Sequence, residues 1–597
     1  MLRIRSSKGN LIKTAAALLF LCISVPRSAI IISEIHYHPL PGADTADKNL
    51  YEFIEIKNTG STSRGMGRFS FTDGITYNFP ADYRLPAGEF VVLAADSGRF
   101  EERYGFFPLG IYSGKLNNSG ERVTLVDTFS NEVVLDFEYD TKAPWPVSAD
   151  GAGFSLVSVD PNGKGSPQNA GYWRASSSVH GSPGRDDSEP AELPVVYVNE
   201  ILSHTDLPSY DAIEIFNPGD TRADISGWYL TDDKQEPKKY LIPDGSVIAP
   251  KGYLVFDERD FNRVGDAKAF ALSSHGEGAY IFSAEGEELT GYSHGLKFGE
   301  IDNGTSFGRY ITSTGEEHCV AMAQQTLGQE NSLPRVGPVV VTEINYNPST
   351  AVSYVEIKNI SAQKVDLFDP FRPVNTWQVK GLSFHFPPDV SLAAGEVALL
   401  FSDQVDAYTF RAINGLSEET KVFPFSGTLQ SGGEAITIRM PCEPYLDDAS
   451  PDSIIPYMDI DKVKYSNDSP WPTCEVGTTI YRKNISQYGN DPVNWGAFSA
   501  TPGTPVLQKQ MAQGFKGVKV LPVKRDMLRL FFTLGSPGPV HFSMTDLKGV
   551  QVKRAKRVFS AGGNMLDINT GNLASGIYVI SVRADGIQKE HVTVIKR

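Results

Sequence analysis

The octapeptide YEFIEIKN at residues 51–58 decides the fold, because the chain repeats it with few changes. It returns as YDAIEIFN at 210–217 and as SYVEIKN at 353–359. In each version a glutamate lies between two aliphatic residues, and this alternation is typical of a β-strand with two different faces. A strand that occurs three times predicts three copies of one folding unit.

The segments around this strand repeat with it. Each copy opens with an alternating strand: IISEIHYHP (31–39), VYVNEILSH (196–204) and VVTEINYNP (340–348). A glycine then begins a hydrophobic strand at nearly the same distance from the opening glutamate in every copy. These glutamate and glycine pairs are Glu34 and Gly88, Glu200 and Gly252, and Glu343 and Gly395. Period-2 alternation with frequent turn residues predicts a β-sandwich for each copy.

All six tryptophans fall on positions shared between copies. Phe69, Trp228 and Trp377 share one position, Trp145 and Trp471 share a PWP motif, and Trp173 and Trp495 share an ending of the form W…S…G(S/T)PG. The second copy lacks this ending. A large aromatic residue at one offset in each copy predicts a core anchor. We therefore expect Trp145 and Trp471 to be buried.

These motifs resemble the lamin tail domain in its bacterial form. The first copy carries the full series, with FIEIKN (53–58), LPAGEFVVLAAD (85–96), WPVSADGAGFSL (145–156) and GSPG (181–184), and the second keeps ISGWYLTDD (225–233). The resemblance implies an immunoglobulin-like β-sandwich. It predicts lamin-tail-like domains at 30–187, at 195–333 in a divergent form, and at 338–505, with a linker-like stretch at 181–194. It implies little about function, because one fold serves unrelated roles.

The C-terminal region resembles a different family. The segments PVHFSMTDLKGVQVKR (539–554) and GNLASGIYVISVRADGIQKEHVTVIKR (571–597) are similar to the C-terminal sorting domain of the type IX secretion system. The resemblance covers 512–597 and predicts a small β-sandwich. It implies that type IX machinery carries the chain across the outer membrane of a Gram-negative bacterium. We expect the protein to be secreted or held on the cell surface.

Charge and the N-terminal residues agree with export. Residues 1–29 combine early basic residues with the apolar stretch AAALLFLCISV, which is typical of a signal peptide. No later stretch approaches the length of a transmembrane helix. The net charge is −16, although residues 511–597 carry 14 Lys and Arg against 5 Asp and Glu, so that the first 510 residues carry −25. An acidic body disfavours nucleic acid as a partner.

Paired glutamates are the first candidates for chemistry. The opening strand and the repeated octapeptide provide Glu34 and Glu55, Glu200 and Glu214, and Glu343 and Glu356. Two carboxylates that meet across paired strands could act as acid and base of a polymer hydrolase, or bind Ca²⁺. The alternative is structural: glutamates on the outer face of a sandwich, in salt bridges or capping backbone amides. We favour the structural interpretation, because in FIEI the isoleucines on either side of Glu55 place the glutamate on the face away from the core.

Other candidate sites are weaker. His36 and His38 form HYH, which could supply two metal ligands, but a surface histidine pair is the preferred interpretation. The acidic segments EIDNGTS (300–306) and MDIDKVKYS (458–466) contain oxygen ligands suited to Ca²⁺ without a full binding loop. Cys442 and Cys474 could form a disulfide or remain two thiols. We find no catalytic motif, and we assign no catalytic, cofactor-binding or metal-ligating residue.

Together these patterns predict an exported, non-catalytic protein of tandem β-sandwiches. We expect it to bind an extracellular protein or polysaccharide, as an adhesion or architectural module, with no cofactor. One alternative is an extracellular polymer hydrolase that uses a carboxylate pair, and another is a structural spacer without a ligand. Solvent-exposed aromatic side chains would favour binding over a spacer.

Overall fold

The structure of the protein is a computed structural model. It describes residues 30–42, 47–349, 352–446, 453–503, 516–524, 527–534, 538–546, 548, 550–559, 562–584 and 587–595. The predicted signal peptide, 1–29, lies outside the described residues. The described chain is built mainly of β-strands, which confirms the predicted all-β class of immunoglobulin-like sandwiches.

The chain divides into two compact units. One contains Met1–Pro194, Asp224–Val247 and Tyr280–Gly295, and the other contains Val195–Ala223, Ile248–Ala279 and Leu296–Arg597. The second repeat therefore contributes segments to both units. The domain boundaries given by the sequence stay predictions.

The first repeat has thirteen strands. They are β1 (Ile30–His36), β2 (Phe53–Asn58), β3 (Arg64–Gly65), β4 (Phe69–Asp73), β5 (Ile75–Asn78), β6 (Arg84–Leu85), β7 (Phe90–Ala94), β8 (Gly110–Ile111), β9 (Ser113–Gly114), β10 (Gly120–Asp127), β11 (Glu132–Asp140), β12 (Leu156–Ser158) and β13 (Trp173–Ala175). One sheet has the order β13-β12-β1-β2-β7-β8 and the other the order β11-β10-β4-β5-β9. Aliphatic and aromatic side chains of both sheets form one buried core, which includes Ile35, Ile54 and Phe71.

The second repeat has eleven strands. They are β14 (Tyr197–Leu202), β15 (Ala212–Phe216), β16 (Ala223–Asp224), β17 (Tyr229–Thr231), β18 (Tyr240–Leu241), β19 (Val247–Ile248), β20 (Tyr253–Asp257), β21 (Gly278–Glu285), β22 (Glu288–Lys297), β23 (Phe307–Ile311) and β24 (Glu317–Ala321). The sheet β20-β15-β14-β23-β24 has the same central pair as the first repeat, and a second sheet has the order β18-β17-β21-β22.

The third repeat has sixteen strands. They are β25 (Val339–Asn347), β26 (Tyr354–Asn359), β27 (Val365–Asp366), β28 (Phe368–Asp369), β29 (Arg372–Thr376), β30 (Gln378–Lys380), β31 (Phe384–His385), β32 (Ser391–Leu392), β33 (Val397–Ser402), β34 (Lys421–Phe425), β35 (Gly433–Pro441), β36 (Tyr445–Leu446), β37 (Ser453–Ile454), β38 (Tyr457–Ser466), β39 (Thr478–Arg482) and β40 (Trp495–Ser499). Its main sheets are β34-β33-β26-β25-β39-β40 and β31-β30-β35-β38.

The C-terminal region, called the tail below (512–597), has seven described strands. They are β41 (Lys516–Lys524), β42 (Met527–Leu534), β43 (Gly538–Asp546), β44 (Gln551–Phe559), β45 (Gly562–Asn569), β46 (Gly576–Ala584) and β47 (Ile587–Ile595). They form the sheets β41-β42-β45 and β44-β43-β46-β47. A separate core of buried residues, including Leu530, Met544 and Ile580, agrees with the predicted small sandwich.

Neighbouring repeats share contacts inside each unit. In the first unit, Ala152 and Phe154 of the first repeat pack with Tyr229, Phe282 and Leu289 of the sheet that contains β17 and β21. In the second unit, Ile301 and Phe307 of the second repeat join the core of the third repeat. The repeats are therefore packed against their neighbours and are not isolated along the chain.

A short helix follows the same strand in each repeat, and the sequence analysis missed it. The helices are α1 (Ser97–Tyr104), α2 (Glu258–Phe261) and α3 (Ala407–Asn414). The side chains of Asp96 and Asp406 cap the N-termini of α1 and α3, and glycines in the left-handed region end both helices. These caps explain how sequences as short as eight residues form helices here.

The tryptophans occupy two environments. Trp173, Trp228, Trp377 and Trp495 are buried, as core anchors should be. Trp145 and Trp471 contact the cores but are only half-buried, so the prediction that they are buried is wrong in degree. In the first repeat the reason is local: residues 142–144 form an exposed turn, which leaves one side of the Trp145 indole uncovered.

Candidate functional site

The two glutamates of each repeat lie directly opposite each other on the first two strands. The pairing register joins Glu34 to Glu55, Glu200 to Glu214, and Glu343 to Glu356. A β-bulge precedes the first glutamate in every copy, and its extra residue is Ser33, Asn199 or Thr342. A bulge turns the strand locally and re-aims a side chain. Each repeat therefore brings two carboxyl groups and one polar side chain to the same place.

All six carboxyl-bearing side chains are buried, with exposed fractions of 0–1%. They lie on the face away from the core isoleucines, as the alternation predicted, but this face is covered. The cover is the closing tripeptide of each repeat, residues 182–184, 326–328 and 501–503. The sequence analysis placed these glutamates on the outer face, in salt bridges or capping backbone amides. The hydrogen bonds below agree with the second of these roles, and a distant segment of the same repeat covers this face.

The second glutamate of each pair binds the glycine that ends the closing tripeptide. Gly503 donates its backbone N–H to Glu356 Oε2 at 2.8 Å, and Thr342 of the bulge donates to Oε1 at 2.7 Å. The other two repeats have the same pairs of bonds, from Gly184 and Ser33 to Glu55, and from Gly328 and Asn199 to Glu214. Both oxygens of this carboxyl group are thus occupied by the protein itself.

The first glutamate of each pair binds the residue that begins the closing tripeptide. Backbone N–H groups of Ser182, Thr326 and Thr501 donate to Glu34, Glu200 and Glu343 at 2.9, 2.8 and 2.9 Å. The hydroxyls of the same three residues donate to the second carboxyl oxygen. The closing tripeptide thus has a Ser or Thr first, any residue second and a Gly third. The N–H and hydroxyl of the first residue and the N–H of the glycine give three donors to the two carboxyl groups.

The second repeat therefore has a closing tripeptide, although the sequence analysis found its ending missing. Thr326, Leu327 and Gly328 bind the glutamate pair as the SPG and TPG sequences do. The proline is dispensable, because the middle residue donates none of these bonds. The hydroxyl residue and the glycine carry the function of the motif.

The asparagine that ends the repeated octapeptide has one role in all three copies. The Asn58 amide donates to the carbonyl oxygens of Thr62, Leu85 and Pro86, at 2.9–3.0 Å. Asn217 and Asn359 make the equivalent three bonds in their own repeats. This side chain fixes the turn after the strand, so it is a structural residue that the sequence analysis left unassigned.

Burial controls the protonation of these glutamates. It raises the pKa of Glu214 to about 7, with a smaller contribution from the charge of Glu200. Burial also raises the pKa values of Glu34 and Glu55, and the Glu34 charge adds to the effect on Glu55. Two facing carboxyl groups in a low-dielectric site resist carrying two negative charges. Hydrogen bonds from the closing tripeptide lower the pKa values of these glutamates and so oppose part of the effect of burial.

The HYH histidines are buried, so the preferred interpretation as a surface pair is wrong. His36 is 0% exposed and His38 6% exposed. His38 Nδ1 lies 2.7 Å from Asp150 Oδ1, and its Nε2 lies 2.6 Å from Lys48 Nζ. Lys234 also bonds to Asp150. His38 therefore belongs to a polar network that joins the first repeat to the 224–247 segment within the first unit.

The acidic segments proposed for Ca²⁺ use their carboxylates internally. Glu300 bonds to His275 at 2.7 Å, and Asp302 to Arg335 at 2.8 Å. In the other segment, Asp461 forms a buried ion pair with Arg482 at 2.7 Å. Within the described ranges, no group of three or more His, Cys, Asp or Glu side chains is arranged to hold a metal ion. Cys442 and Cys474 are free thiols.

Comparisons with known proteins agree with both resemblances. The family model of the Lamin Tail Domain matches residues 24–141 and 189–295, and that of the Secretion system C-terminal sorting domain matches residues 525–596. Both are non-catalytic kinds of domain. The third repeat lies outside these matches, so its place among lamin tail domains stays a prediction. No curated protein matches the chain.

Two solved structures give weak likenesses. Dimeric latent PorU from Porphyromonas gingivalis has 10% identity and a TM-score of 0.13, over 69% of this chain and 34% of that chain. This chain thus spans about a third of the length of PorU. The BSP domain of a biofilm associated protein has 8% identity and a TM-score of 0.12, over 95% and 96% of the two chains. At these scores neither likeness bears on fold or function.

Localisation follows from the sorting domain. A chain that carries this domain is delivered outside the cell by the type IX machinery, which is therefore one of its partners. The part of the chain that the structure describes has no helix of the length and apolarity needed to cross a membrane. The chain is an exported protein, secreted or held on the outer surface of a Gram-negative bacterium; two of its regions match the model of the lamin tail domain, and its C-terminal region matches that of the sorting domain.

Proposed function

We propose that this exported protein is a non-catalytic binding module, whose sandwiches present their loops to an extracellular protein or polysaccharide. The proposal rests on the observation that the three glutamate pairs are bound by the protein itself. All are buried, and the amides and hydroxyls of the closing tripeptides occupy them. A polymer hydrolase needs two carboxyl groups that its substrate can reach across a cleft. The carboxyl groups that recur in every repeat therefore have a structural role.

Exposed apolar side chains favour binding over a spacer. In the third repeat, Phe371 is 92% exposed and Val374 82% exposed, on the β28–β29 hairpin. Leu446 of β36 is 75% exposed. Arg372 donates to Glu443 at 3.2 Å, which links the two hairpins. We call Phe371, Val374 and Leu446 the apolar tip. Exposed apolar side chains on an extracellular protein offer a contact surface to a partner.

The test is a binding screen of the full chain against glycans and extracellular proteins. We expect a saturable partner, whose binding is lost in the double variant Phe371→Ser and Val374→Ser. The matched control is Leu207→Ser with Leu333→Ser, because these residues of the second repeat are 78% and 69% exposed. Loss of binding in both double variants would refute the role of the apolar tip. A complete absence of partners would favour the spacer.

The hydrolase alternative has its own measurement. Release of soluble products from extracellular polymers should not exceed the uncatalysed level with the full chain. If products form and the Glu34→Gln variant abolishes their release while leaving the protein folded, the non-catalytic proposal is wrong.

A further inference from the structure

One face of the tail carries a row of basic side chains across three neighbouring strands. His541 of β43 pairs with Lys556 of β44 on one side and with Arg583 of β46 on the other. Directly paired residues point to the same face of a sheet. All three residues are exposed. Because neighbouring strands lie about 4.8 Å apart, the outer two residues of this row are separated by roughly 10 Å.

A second row of side chains on the same face has smaller residues on its central strand and on β46. Ser543 pairs with Arg554 on β44 and with Ser581 on β46. The serines form the floor of a shallow groove, and longer basic side chains stand around it. The groove has a volume of about 1000 Å³ and is lined by His541, Ser543, Arg554, Lys556, Ser581 and Arg583, together with other residues of β43, β44 and β46. We call it the basic groove.

The charges of the basic groove are not balanced by the described carboxylates of the tail. Asp567 pairs with Arg529 on the other sheet at 2.7 Å. Asp546 accepts the backbone N–H groups of Lys548 and Val550 in a turn. Neither aspartate lines the groove. In the backbone register, Glu590 of β47 stands opposite Ser581, next to the groove. The face therefore keeps a net positive charge.

We propose that the basic groove binds an anionic polysaccharide outside the cell. Carboxylate, sulfate or phosphate groups along such a chain could contact Arg554, Lys556 and Arg583 in turn, and sugar hydroxyls could bond to the serines. The lining includes one aromatic residue, Phe542, but its side chain is buried in the core of the tail and offers little ring surface for stacking on nucleic acid bases. The other apolar lining residues, Pro539, Ala555 and Ala584, are small and provide no long aliphatic group for entering a bilayer. The inference rests on the extracellular location and does not depend on the binding role of the apolar tip.

The test uses the full chain and four probes at about 0.15 M salt: polygalacturonate, dextran sulfate, neutral dextran, and vesicles of equal phosphatidylcholine and phosphatidylglycerol. One variant, Arg554→Ser with Lys556→Ser, removes two charges from the groove side of β44. The matched control, Lys553→Ser with Arg557→Ser, removes two charges from the opposite face of the same strand, where the register partners are the core residues Met544 and Val540. Circular dichroism checks that both variants fold.

We expect binding to at least one anionic probe, none to neutral dextran, and a roughly tenfold loss of affinity only in the groove variant. Equal losses in the two variants would show unspecific attraction to a basic tail and would overturn the proposal. So would the absence of binding to both anionic probes. Binding to vesicles of equal phosphatidylcholine and phosphatidylglycerol in place of the polysaccharides would assign the groove to membranes instead.

Discussion

Gly503 donates its backbone N–H to Glu356, a residue 147 positions earlier, at 2.8 Å. This bond closes the third repeat across its own length. Its counterparts join Gly184 to Glu55 and Gly328 to Glu214, so the same hydrogen bond closes all three repeats. The glutamate in the repeated octapeptide is therefore explained by its partner near the end of the repeat.

The first prediction concerns this closure. A chain that ends at residue 500 lacks the three donors that Thr501 and Gly503 supply to Glu343 and Glu356, whereas a chain that ends at residue 503 keeps them. Removing hydrogen-bond donors from buried carboxyl groups is costly. We expect the shorter chain to lose roughly 2–5 kcal/mol of unfolding free energy in the third repeat, by urea denaturation. Equal stability of the two chains would contradict the closing role of the tripeptide.

The second prediction concerns pH. Burial raises the pKa of Glu214 from 4.5 to about 7, so the folded state holds this proton more tightly than the unfolded state does. The contribution to stability is complete below pH 4.5 and is lost as the pH rises through 7. In the wild-type protein we expect the unfolding free energy to fall by about 2–3 kcal/mol over that pH interval because of Glu214. The Glu214→Gln variant should not show this fall. Thermal unfolding at a series of pH values, with Glu236→Gln as an exposed control, measures the difference.

The third prediction compares two tryptophans of the first repeat. Trp173 is 4% exposed, and its indole donates to Pro167 at 2.9 Å, whereas Trp145 is half-buried. We expect Trp173→Ala to cost about 3–5 kcal/mol and Trp145→Ala clearly less. Urea denaturation of both variants measures which substitution costs more unfolding free energy. A larger loss for Trp145 would show that the PWP segment contributes more to the core than its burial indicates.

The fourth prediction narrows the site of limited proteolysis. The linker-like stretch 181–194 begins inside the first repeat, because Gly184 bonds to Glu55 and Asp186 pairs with Lys57. Residues 189–192 are exposed and lie outside strands and helices. We expect early cleavage at 189–192 and none at 181–187. Mass spectrometry of the fragments identifies the site. A second linker-like stretch, SATPGTPVLQKQ (499–510), lies mostly outside the described residues.

The fifth prediction concerns export. β47 pairs with β46 over its whole length, from Gly576 with Ile595 to Ala584 with Ile587. Deleting residues 588–597 leaves β46 without this partner. We expect the truncated protein to accumulate in the periplasm while the repeats stay folded. Cell fractionation of both proteins in the native host gives the answer, and equal amounts outside the cell would show that this strand is not needed for sorting.

The sequence alone predicts the strands and the face on which each side chain lies. It does not predict which distant segment of the chain covers that face. The alternation around Glu55 correctly placed this residue on the face away from the core. The cover over Glu34 and Glu55 comes from Ser182 and Gly184, more than 120 positions away, and a Ser or Thr two positions before a Gly is too common a pattern to be noticed. His38 is a similar case, because its burial depends on contacts with Asp150 and Lys48.

The helices show a different limit. Eight residues between Asp96 and Gly105 hold too few turns for a clear period, so α1 is invisible in hydrophobic patterning. The capping Asp96 and the final Gly105 are the usable signals, and the sequence analysis used Asp96 only as the end of a strand. The basic groove required the pairing register, because Arg554, His541 and Arg583 are far apart in sequence and meet only through β43.

The position of the closing tripeptides has a consequence for folding during synthesis. The bonds from Ser182 to Glu34 and from Thr501 to Glu343 span 148 and 158 residues, which is nearly a whole repeat. Because a chain is synthesised from its N-terminus, both glutamates of a repeat are made long before the donors of its closing tripeptide. The hydrogen bonds that cover the glutamate pair can therefore form only after the last residues of the repeat have been added.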